Sequence, residues 1–551
     1  MLRSELAKRA WLLFFIAVVL LYFYGLGELP FVGPDEPRYV EVAREMFLRR
    51  DFITPTLAGH AWFEKPVLLY WMIMATFGAF GVSEWAARIG PACSALLSIL
   101  FIYWMARRVE RAEVEKQNIE KRETPGLAEC CAVALATCVG TIAFARAATF
   151  DILLVMTVTG ALSCFFVAEI EADEKRRRLL LAGFYVFVGA SLLAKGLVGI
   201  VIPFGVVGAY FVLRREWPQA WMMKTLLWGV PLALIVAGIW YGPVIARHDG
   251  IFIRKFFIEH HFARYVSNKY HHPQPFYFYI QVMVMLALPW TAFLAGALTW
   301  TRKWAWRDLT PFGKFRLFAL AWLVLPILFF SFSSSKLPAY ILPSLPGAAL
   351  LIGERLSAFL RGEASGKAMR ATGLLLVIGA VTVIYYAKHT GDVSPSCALA
   401  VSAPLFVAGV IATVWARLRH LSFVAIVCAI FLTTALAVNC GAGAVAQHDS
   451  MRDLLALANA RGYGSTPVYQ LHTIEHTAEF YAAGRFAHEP NGEPLKFEGA
   501  FQVEDAARKN GGPVLVIVPV EYSWQLTTDK ALTTEAIGNN GELALIAVRA
   551  R

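Results

Sequence analysis

The apolar stretch WLLFFIAVVLLYFYGLG (residues 11–27) is followed almost at once by the charged segment GPDEPRY (residues 33–39). A run of about 20 apolar residues is long enough to cross a bilayer as a helix. Ionisable side chains at a membrane span are costly in free energy and usually serve a function. Asp35 and Glu36 are therefore the first candidate functional residues of a membrane protein.

The composition of the whole chain indicates a polytopic membrane protein. Of its 551 residues, 58% are hydrophobic and 17% are charged, whereas a soluble protein carries about 25% charged residues. The first apolar run lacks a small-residue cleavage site, so we interpret it as a retained span. The net charge of +11 arises from basic clusters between the apolar runs. We therefore expect no nucleic-acid partner. We also expect the protein to be a monomer in the bilayer.

The distribution of lysine and arginine among the loops predicts the orientation. The N-terminus is basic and is expected in the cytoplasm, which places loop 28–84 outside. We interpret residues 66–81 as a helix in the outer interface, because a crossing there would move the highly charged loop 106–126 outside. With this choice six basic loops are cytoplasmic, loop 247–277 is outside, and about thirteen spans result.

The last hundred residues differ from the rest of the chain. Apolar runs shorten to strand length, as at 467–471, 513–520 and 543–548, and helix-like segments alternate with them. This alternation predicts a small α/β domain. We expect a transmembrane catalytic domain at 1–447 and an α/β domain outside the membrane at 448–551.

The eight cysteines lie in or at the ends of apolar runs, and none forms a CxxC pair. We therefore expect neither a disulfide nor a zinc–thiolate site. A divalent metal at Glu64, His260 and His261 is left open, because interfacial histidines also serve as ordinary hydrogen-bonding groups.

Charged residues of both signs gather on the predicted outer face. Lysine and arginine bind phosphate, and a carboxylate can accept a proton or stabilise positive charge at a sugar carbon. The pattern therefore suits an enzyme that acts on a phosphate-bearing lipid.

Each candidate also has a structural interpretation. Asp35 and Glu36 could begin the helix at 36–49 as an N-cap, and Asp151 could cap an apolar helix. Glu64 and Lys65 could form a surface ion pair. Lys195 and Lys336 could be span ends whose amines reach water.

Six segments, in order along residues 1–350, resemble motifs of lipid-linked sugar transferases with the GT-C fold. They are DEPRY (35–39), FEKPVLLYW (63–71), SEWAAR (83–88), ARAATFD (145–151), FIEHHFARY (257–265) and SKLPAYILP (335–343). The chain is most similar to the bacterial aminoarabinose transferases that modify lipid A, which are related to protein O-mannosyltransferases. It departs from the pattern at Val67, where many relatives have a second proline.

The resemblance implies transfer of 4-amino-4-deoxy-L-arabinose from undecaprenyl phosphate to a phosphate of lipid A. The reaction would occur on the periplasmic face of a Gram-negative inner membrane and give resistance to polymyxin-type peptides. Asp35 carries over as the catalytic carboxylate, with Glu36 and Asp151 beside it. The residues expected to hold the donor phosphate are Lys65, Arg264, Arg254, Tyr340 and Lys336. The residues expected to orient the sugar are Arg38, Tyr39, Glu64, Glu84 and Arg88.

Two other functions remain open. A related GT-C enzyme could pass another sugar to protein or polysaccharide with the same fold and the same acid in its first loop. A transporter or flippase would instead place charges near the bilayer midplane, often in repeated halves, and the chain shows no such repeat.

Overall fold

The computed structural model describes residues 2–117, 126–256, 274–308 and 310–551. Its apolar runs form helices, because a helix satisfies its backbone hydrogen bonds within one segment when water is absent. Before residue 257 the helices are α1 (Leu2–Phe23), α2 (Asp35–Arg49), α3 (Leu68–Phe80), α4 (Glu84–Gln117), α5 (Leu127–Thr137), α6 (Val139–Ala145), α7 (Phe150–Ile170), α8 (Glu174–Lys195), α9 (Val198–Arg214) and α10 (Ala220–Ile253). From residue 278 they continue as α11 (Phe278–Leu286), α12 (Thr291–Trp300), α13 (Pro311–Ser331), α14 (Leu345–Leu360), α15 (Lys367–Thr390), α16 (Pro395–Val414) and α17 (Arg419–Leu436).

The expected helical, polytopic character of the first part of the chain is confirmed, apart from one short hairpin in its first loop. Among the described residues, eight helices are long and apolar enough to cross a membrane, or up to ten if two bent helix pairs each count as one span. α3 has 13 residues and is about 20 Å long, which is short of the roughly 30 Å hydrocarbon core. Its length agrees with the predicted interfacial position. The number of thirteen spans stays a prediction.

Helix α4 separates two polar ends of the helical bundle. Arg107 follows Arg88 by 19 positions, a rise of about 28 Å that is close to the hydrocarbon thickness. We call the end that holds α2, α3 and Arg88 the Asp35 end, and the opposite end, where Arg108 pairs with Glu171, the Arg107 end.

The first loop at the Asp35 end contains a two-stranded hairpin of β1 (Thr56–Leu57) and β2 (His60–Ala61). The C-terminal region forms a five-stranded sheet in the order β4-β3-β5-β7-β6. Its strands are β3 (Val468–Leu471), β4 (Lys496–Phe497), β5 (Val514–Pro519), β6 (Leu532–Asn539) and β7 (Leu543–Ala550). The helices of this region are α18 (Gly443–His448), α19 (Arg452–Ala458), α20 (Thr477–Tyr481), α21 (Ala500–Asn510) and α22 (Trp524–Thr527).

The C-terminal sheet is mixed and buried on both faces. β3 runs parallel to β4 and β5, whereas β7 is antiparallel to both β5 and β6. Alternate residues of β5 point to opposite faces: Leu515 and Ile517 join one apolar cluster, and Val514 and Val516 join the other. The predicted α/β region is thereby confirmed.

The expectation of no disulfide is wrong for one pair of cysteines. Cys397 and Cys440 are bonded, with Cα atoms 5.7 Å apart. Cys397 lies near the start of α16, and Cys440 follows α17. The hydroxyl of Tyr24, just after α1, donates to Asn439 Oδ1 at 2.8 Å, so the bond is at the Asp35 end. The two cysteines are 43 residues apart, and only the packing of these helices brings them together.

Candidate active site

Asp35 is the first residue of α2 and is about half exposed, with a side-chain exposure of 53%. The preceding Pro34 is the N-cap, and the helix has no side-chain cap hydrogen bond. Asp35 therefore does not serve as the N-cap. Its Oδ1 accepts a hydrogen bond from Arg38 Nη2 at 3.0 Å, while Arg38 Nε donates to the Pro34 carbonyl at 2.6 Å. These contacts hold the carboxylate and the guanidinium together in the first turn of the helix.

Glu36, the adjacent carboxylate, is buried in a two-point ion pair with Arg88. Arg88 Nε donates to Oε1 at 2.7 Å, and Nη2 donates to Oε2 at 2.9 Å. Oε1 also accepts from the backbone N–H of Ala148 at 2.8 Å. The remaining donors of Arg88 bind the carbonyls of Leu26, Leu29 and Pro30. Glu36 and Arg88 therefore fasten α2, α4 and the two neighbouring loops together, next to Asp35.

Tyr39 marks the place where several predicted carboxylates meet. It is buried, and its ring packs edge-on against Phe150 with 4.9 Å between centroids. Burial raises the pKa of Tyr39, and the negative charges of Asp35, Glu64 and Asp151 raise it further. Three carboxylates from separate segments of the chain therefore act electrostatically on one hydroxyl.

Asp151 lies in the first turn of α7 and forms an ion pair with Lys195, at the end of α8. Asp151 and Lys195 are mostly buried. The Lys195 ammonium lies over the ring of Tyr340, 5.4 Å from its centroid. This contact links α7 and α8 to the 3-10 turn Pro338–Ser344.

Lys336 precedes that turn and is 8% exposed. Its Nζ donates to the carbonyl of Ser333 at 2.7 Å. Within the described ranges, no carboxylate lies within ion-pair distance of Lys336. A buried ammonium without a counter-ion is unfavourable unless an anion accompanies it. Lys336 is therefore suited to bind an anionic group such as a phosphate.

Tyr70, from α3, is a site residue that the sequence argument did not single out. Its hydroxyl is buried and has no hydrogen-bond partner in the part of the chain that the structure describes. Asp35, Arg38 and Glu64 act on it electrostatically, so it faces the same cluster. Its position within the FEKPVLLYW segment was the only available signal.

Other predicted residues lie elsewhere. Glu84 points toward the C-terminal region, where it accepts a hydrogen bond from the Tyr481 hydroxyl at 3.1 Å. Arg254 is exposed at the end of α10, and Lys65 is half-buried just before α3. Arg264, His260 and His261 lie outside the described residues. The described ranges contain no group of three or more potential metal ligands, so the metal stays untested.

The contact between α2 and the C-terminal region was also missed from the sequence. Arg44 Nη1 donates to the Phe480 carbonyl at 3.0 Å, and its guanidinium stacks 4.8 Å from the Phe480 ring. The Tyr481 hydroxyl accepts from the Phe31 N–H at 2.8 Å. No pattern in the chain signals partners separated by more than 400 positions.

Comparisons with known proteins agree with this architecture. Residues 64–241 match the family described as dolichyl-phosphate-mannose-protein mannosyltransferase. The chain is 31% identical over 382 residues to an undecaprenyl phosphate-alpha-4-amino-4-deoxy-L-arabinose arabinosyl transferase of Erwinia tasmaniensis, covering 68% of this chain and 64% of the relative. A Pseudomonas paraeruginosa protein of the same name is 33% identical over 372 residues, covering 67% and 63%. The chain thus spans slightly less than two thirds of these relatives.

The fold is shared over nearly the whole chain with a solved structure. The crystal structure of ArnT from Cupriavidus metallidurans bound to undecaprenyl phosphate has a TM-score of 0.78 at 25% identity and covers 98% of both chains. The apo structure of that protein gives a TM-score of 0.76 at 24% identity. In its helical bundle and its C-terminal sheet the chain is therefore similar to ArnT, and over two thirds of its length it is similar to the arabinosyl transferases.

Proposed function

We propose that the protein transfers 4-amino-4-deoxy-L-arabinose from undecaprenyl phosphate to a phosphate of lipid A. The observation that carries the proposal is the exposed carboxylate of Asp35, held by Arg38 at the start of α2, on a fold shared with ArnT. The names of the relatives at 31% and 33% identity support this donor. Resistance to polymyxin-type peptides follows from the lower negative charge of the modified lipid A.

Asp35 stabilises positive charge rather than removing a proton. A lipid A phosphate is already ionised and needs little deprotonation to act as nucleophile. The donor sugar carries an amine and develops positive charge at its anomeric carbon during transfer. Asp35, oriented by Arg38, is placed to stabilise that charge, and Glu64 orients the amine.

The cations of the site hold the phosphate of the donor. Lys336 is buried without a carboxylate partner in the described ranges, so a phosphate would neutralise it. Lys65, Tyr340, Arg254 and Arg264 are the further candidates for this task. Stabilising the undecaprenyl phosphate that leaves would lower the barrier to transfer. Glu36 and Arg88 act as positioning residues for Asp35, and Asp151 does so for Lys195.

The Asp35 end faces the periplasm in this proposal. Disulfides persist in oxidising compartments such as the bacterial periplasm, and the Cys397–Cys440 bond lies at this end. Residues 448–551, which pack on α2, then form a periplasmic domain. A membrane-impermeant maleimide should label the exposed Cys440 in intact cells only after reduction. Labelling that required permeabilised cells would reverse the orientation.

A second candidate is transfer of another polyprenyl-linked sugar to protein or polysaccharide. It is favoured by the match of residues 64–241 to the protein mannosyltransferase family. The two candidates share the fold and the acid of the first loop, and they differ in the sugar and in the acceptor.

The test is mass spectrometry of lipid A from a transferase-null Gram-negative strain that expresses the wild type, Asp35→Asn or Asp505→Asn. Asp505 is an exposed aspartate paired with Lys509 on α21, and its variant is the matched control. We expect one added aminoarabinose with the wild type and the control, and a loss of roughly 10²–10³-fold with Asp35→Asn.

Two results would change the proposal. Modification with Asp35→Asn at the wild-type level would remove Asp35 from the chemistry. No modification by the wild type, at normal membrane expression, would favour the second candidate.

A further inference from the structure

At the Arg107 end, far from the proposed sugar-transfer site, the outer face of α4 lines an open cavity of about 330 Å³. This volume lies within the range of small-molecule sites, about 300–1,000 Å³. The lining residues follow one another on a single helix face and combine two aromatic rings with three guanidinium groups. They are Tyr103, Trp104, Arg107, Arg108 and Arg111.

Two of the three arginines are held in place by carboxylates. Arg107 pairs with Glu110 at 2.9 Å and lies 3.8 Å from Glu129, and Arg108 pairs with Glu171. Arg111 is exposed and has no carboxylate within 4 Å among the described residues. The cavity therefore combines two oriented guanidinium groups with one positive charge that no carboxylate of the described ranges neutralises.

The cavity lies at a membrane–water interface. Its arginines are about one bilayer thickness along α4 from Arg88. Tyr103 contacts Phe15 of α1, with ring centroids 5.6 Å apart, so the cavity is beside the helix that begins the chain. Tyrosine and tryptophan are enriched at the level of the lipid head groups. A ligand from the surrounding leaflet can therefore reach the cavity directly.

We infer that this cavity binds the phosphate of an anionic phospholipid head group. Arginine binds phosphate through paired N–H groups, and basic pockets between transmembrane helices on the cytoplasmic side bind anionic head groups. A phosphodiester carries one negative charge, which matches the unneutralised charge of Arg111. The bound lipid would hold the end of α4 and take no part in sugar transfer.

Native mass spectrometry of the full chain, released from detergent with phosphatidylglycerol or phosphatidylethanolamine, tests the inference. We expect phosphatidylglycerol to stay bound to the wild type, and Arg111→Gln to lower the bound fraction about tenfold. The control is Arg178→Gln, because Arg178 lies at the same end, is 73% exposed and pairs with Glu174 outside the cavity. Equal losses with both variants would show only nonspecific charge attraction and overturn the inference.

A second measurement uses the folded wild type and locates the lipid. Brominated phosphatidylglycerol should quench tryptophan fluorescence more in the wild type than in Trp104→Phe. Equal quenching would place the lipid elsewhere. Inorganic phosphate added at the same concentration should not displace the lipid, and complete displacement would identify a free-phosphate site instead.

Discussion

The two ends of the helical bundle use charge in different ways. At the Arg107 end, Glu169 accepts hydrogen bonds from Arg214 at 2.7 Å and from Lys314 at 3.2 Å, and such pairs join neighbouring helices. At the Asp35 end, the buried carboxylate of Glu36 is saturated in the same manner by Arg88. Beside it, Asp35 is half exposed, and buried Lys336 has no carboxylate partner in the described ranges.

This difference suggests that the charges at the two ends serve different purposes. Paired charges stabilise the fold, whereas unpaired charges lower stability and are kept where a substrate supplies the missing partner. Substitutions at the two ends should therefore separate stability from activity.

The largest effect on stability is expected for Arg88→Met, which breaks the saturated pair. Removing one partner of a buried ion pair costs about 3–5 kcal/mol, because the other charge is left uncompensated. Transfer should fall as well, since the pair positions Asp35. Thermal unfolding in detergent measures the first effect and lipid A mass spectrometry the second.

Arg88→Lys is the matched variant for this prediction. Lysine keeps the charge but lacks the planar fork that reaches Glu36 and three carbonyls at once. We expect it to recover little of the lost stability. Full recovery would show that charge alone matters at this position.

Lys336→Met should move stability and activity in opposite directions. Removing an unpaired buried charge should leave the unfolding temperature unchanged or raise it. Loss of a charged hydrogen bond to the donor phosphate, worth about 1.5–3 kcal/mol, should raise the KM for the donor more than tenfold. A fall in stability with unchanged KM would make Lys336 a structural residue.

Glu169→Gln tests the opposite end. Arg214 keeps a second carboxylate, Glu216, so we expect a loss of about 1–3 kcal/mol in unfolding free energy. The activity of each folded molecule should not change, because the pair lies on the other side of the bilayer. Reduced kcat at full stability would contradict the division between the ends.

The smallest effect concerns Glu41, where α2 meets the C-terminal region. Burial raises its pKa from 4.5 to about 7, Arg44 opposes this shift, and Glu45 and Glu479 add to it. The folded state therefore binds more protons than the unfolded state between about pH 4.5 and 7, and stability should fall as pH rises through this window. Glu41→Gln should remove this dependence of stability on pH. Across the window the dependence amounts to on the order of 1–3 kcal/mol in unfolding free energy.

Unfolding temperatures at pH 5 and pH 8 provide the measurement for Glu41. Glu174→Gln, at an exposed carboxylate, should keep the wild-type slope. If Glu41→Gln also kept it, another group would control the pH dependence.

Local patterns predicted much of the fold. Run lengths and loop charge identified the helical bundle and the short α3, and the shorter runs after 448 identified the α/β region. The order of strands in the sheet did not follow, because pairing depends on contacts between distant segments. The same limit explains why the Cys397–Cys440 bond was not expected. In sequence, its two cysteines lie in apolar surroundings like those of the cysteines that stay free.

In the candidate site too, the sequence revealed local motifs but not the contacts between distant segments. Motifs gave Asp35, Glu64 and Asp151, and in the structure the charges of all three raise the pKa of Tyr39. Composition could not reveal that Glu36, one position from Asp35, is fully engaged by an arginine 52 residues away. The roles of the individual site residues stay proposals, to be decided by the variants above.

The length of α4 makes the structure around Arg88 sensitive to the thickness of the bilayer. One continuous helix joins the saturated pair at Arg88 to the cluster at Arg107, so their separation is set at about 28 Å. A membrane much thinner or thicker than this must deform, or tilt the helix, at a free-energy cost that rises with each ångström of mismatch. Tilting α4 would shift Arg88 and, through Glu36, the first turn of α2. Acyl-chain length would thus become a determinant of the rate of the proposed sugar transfer.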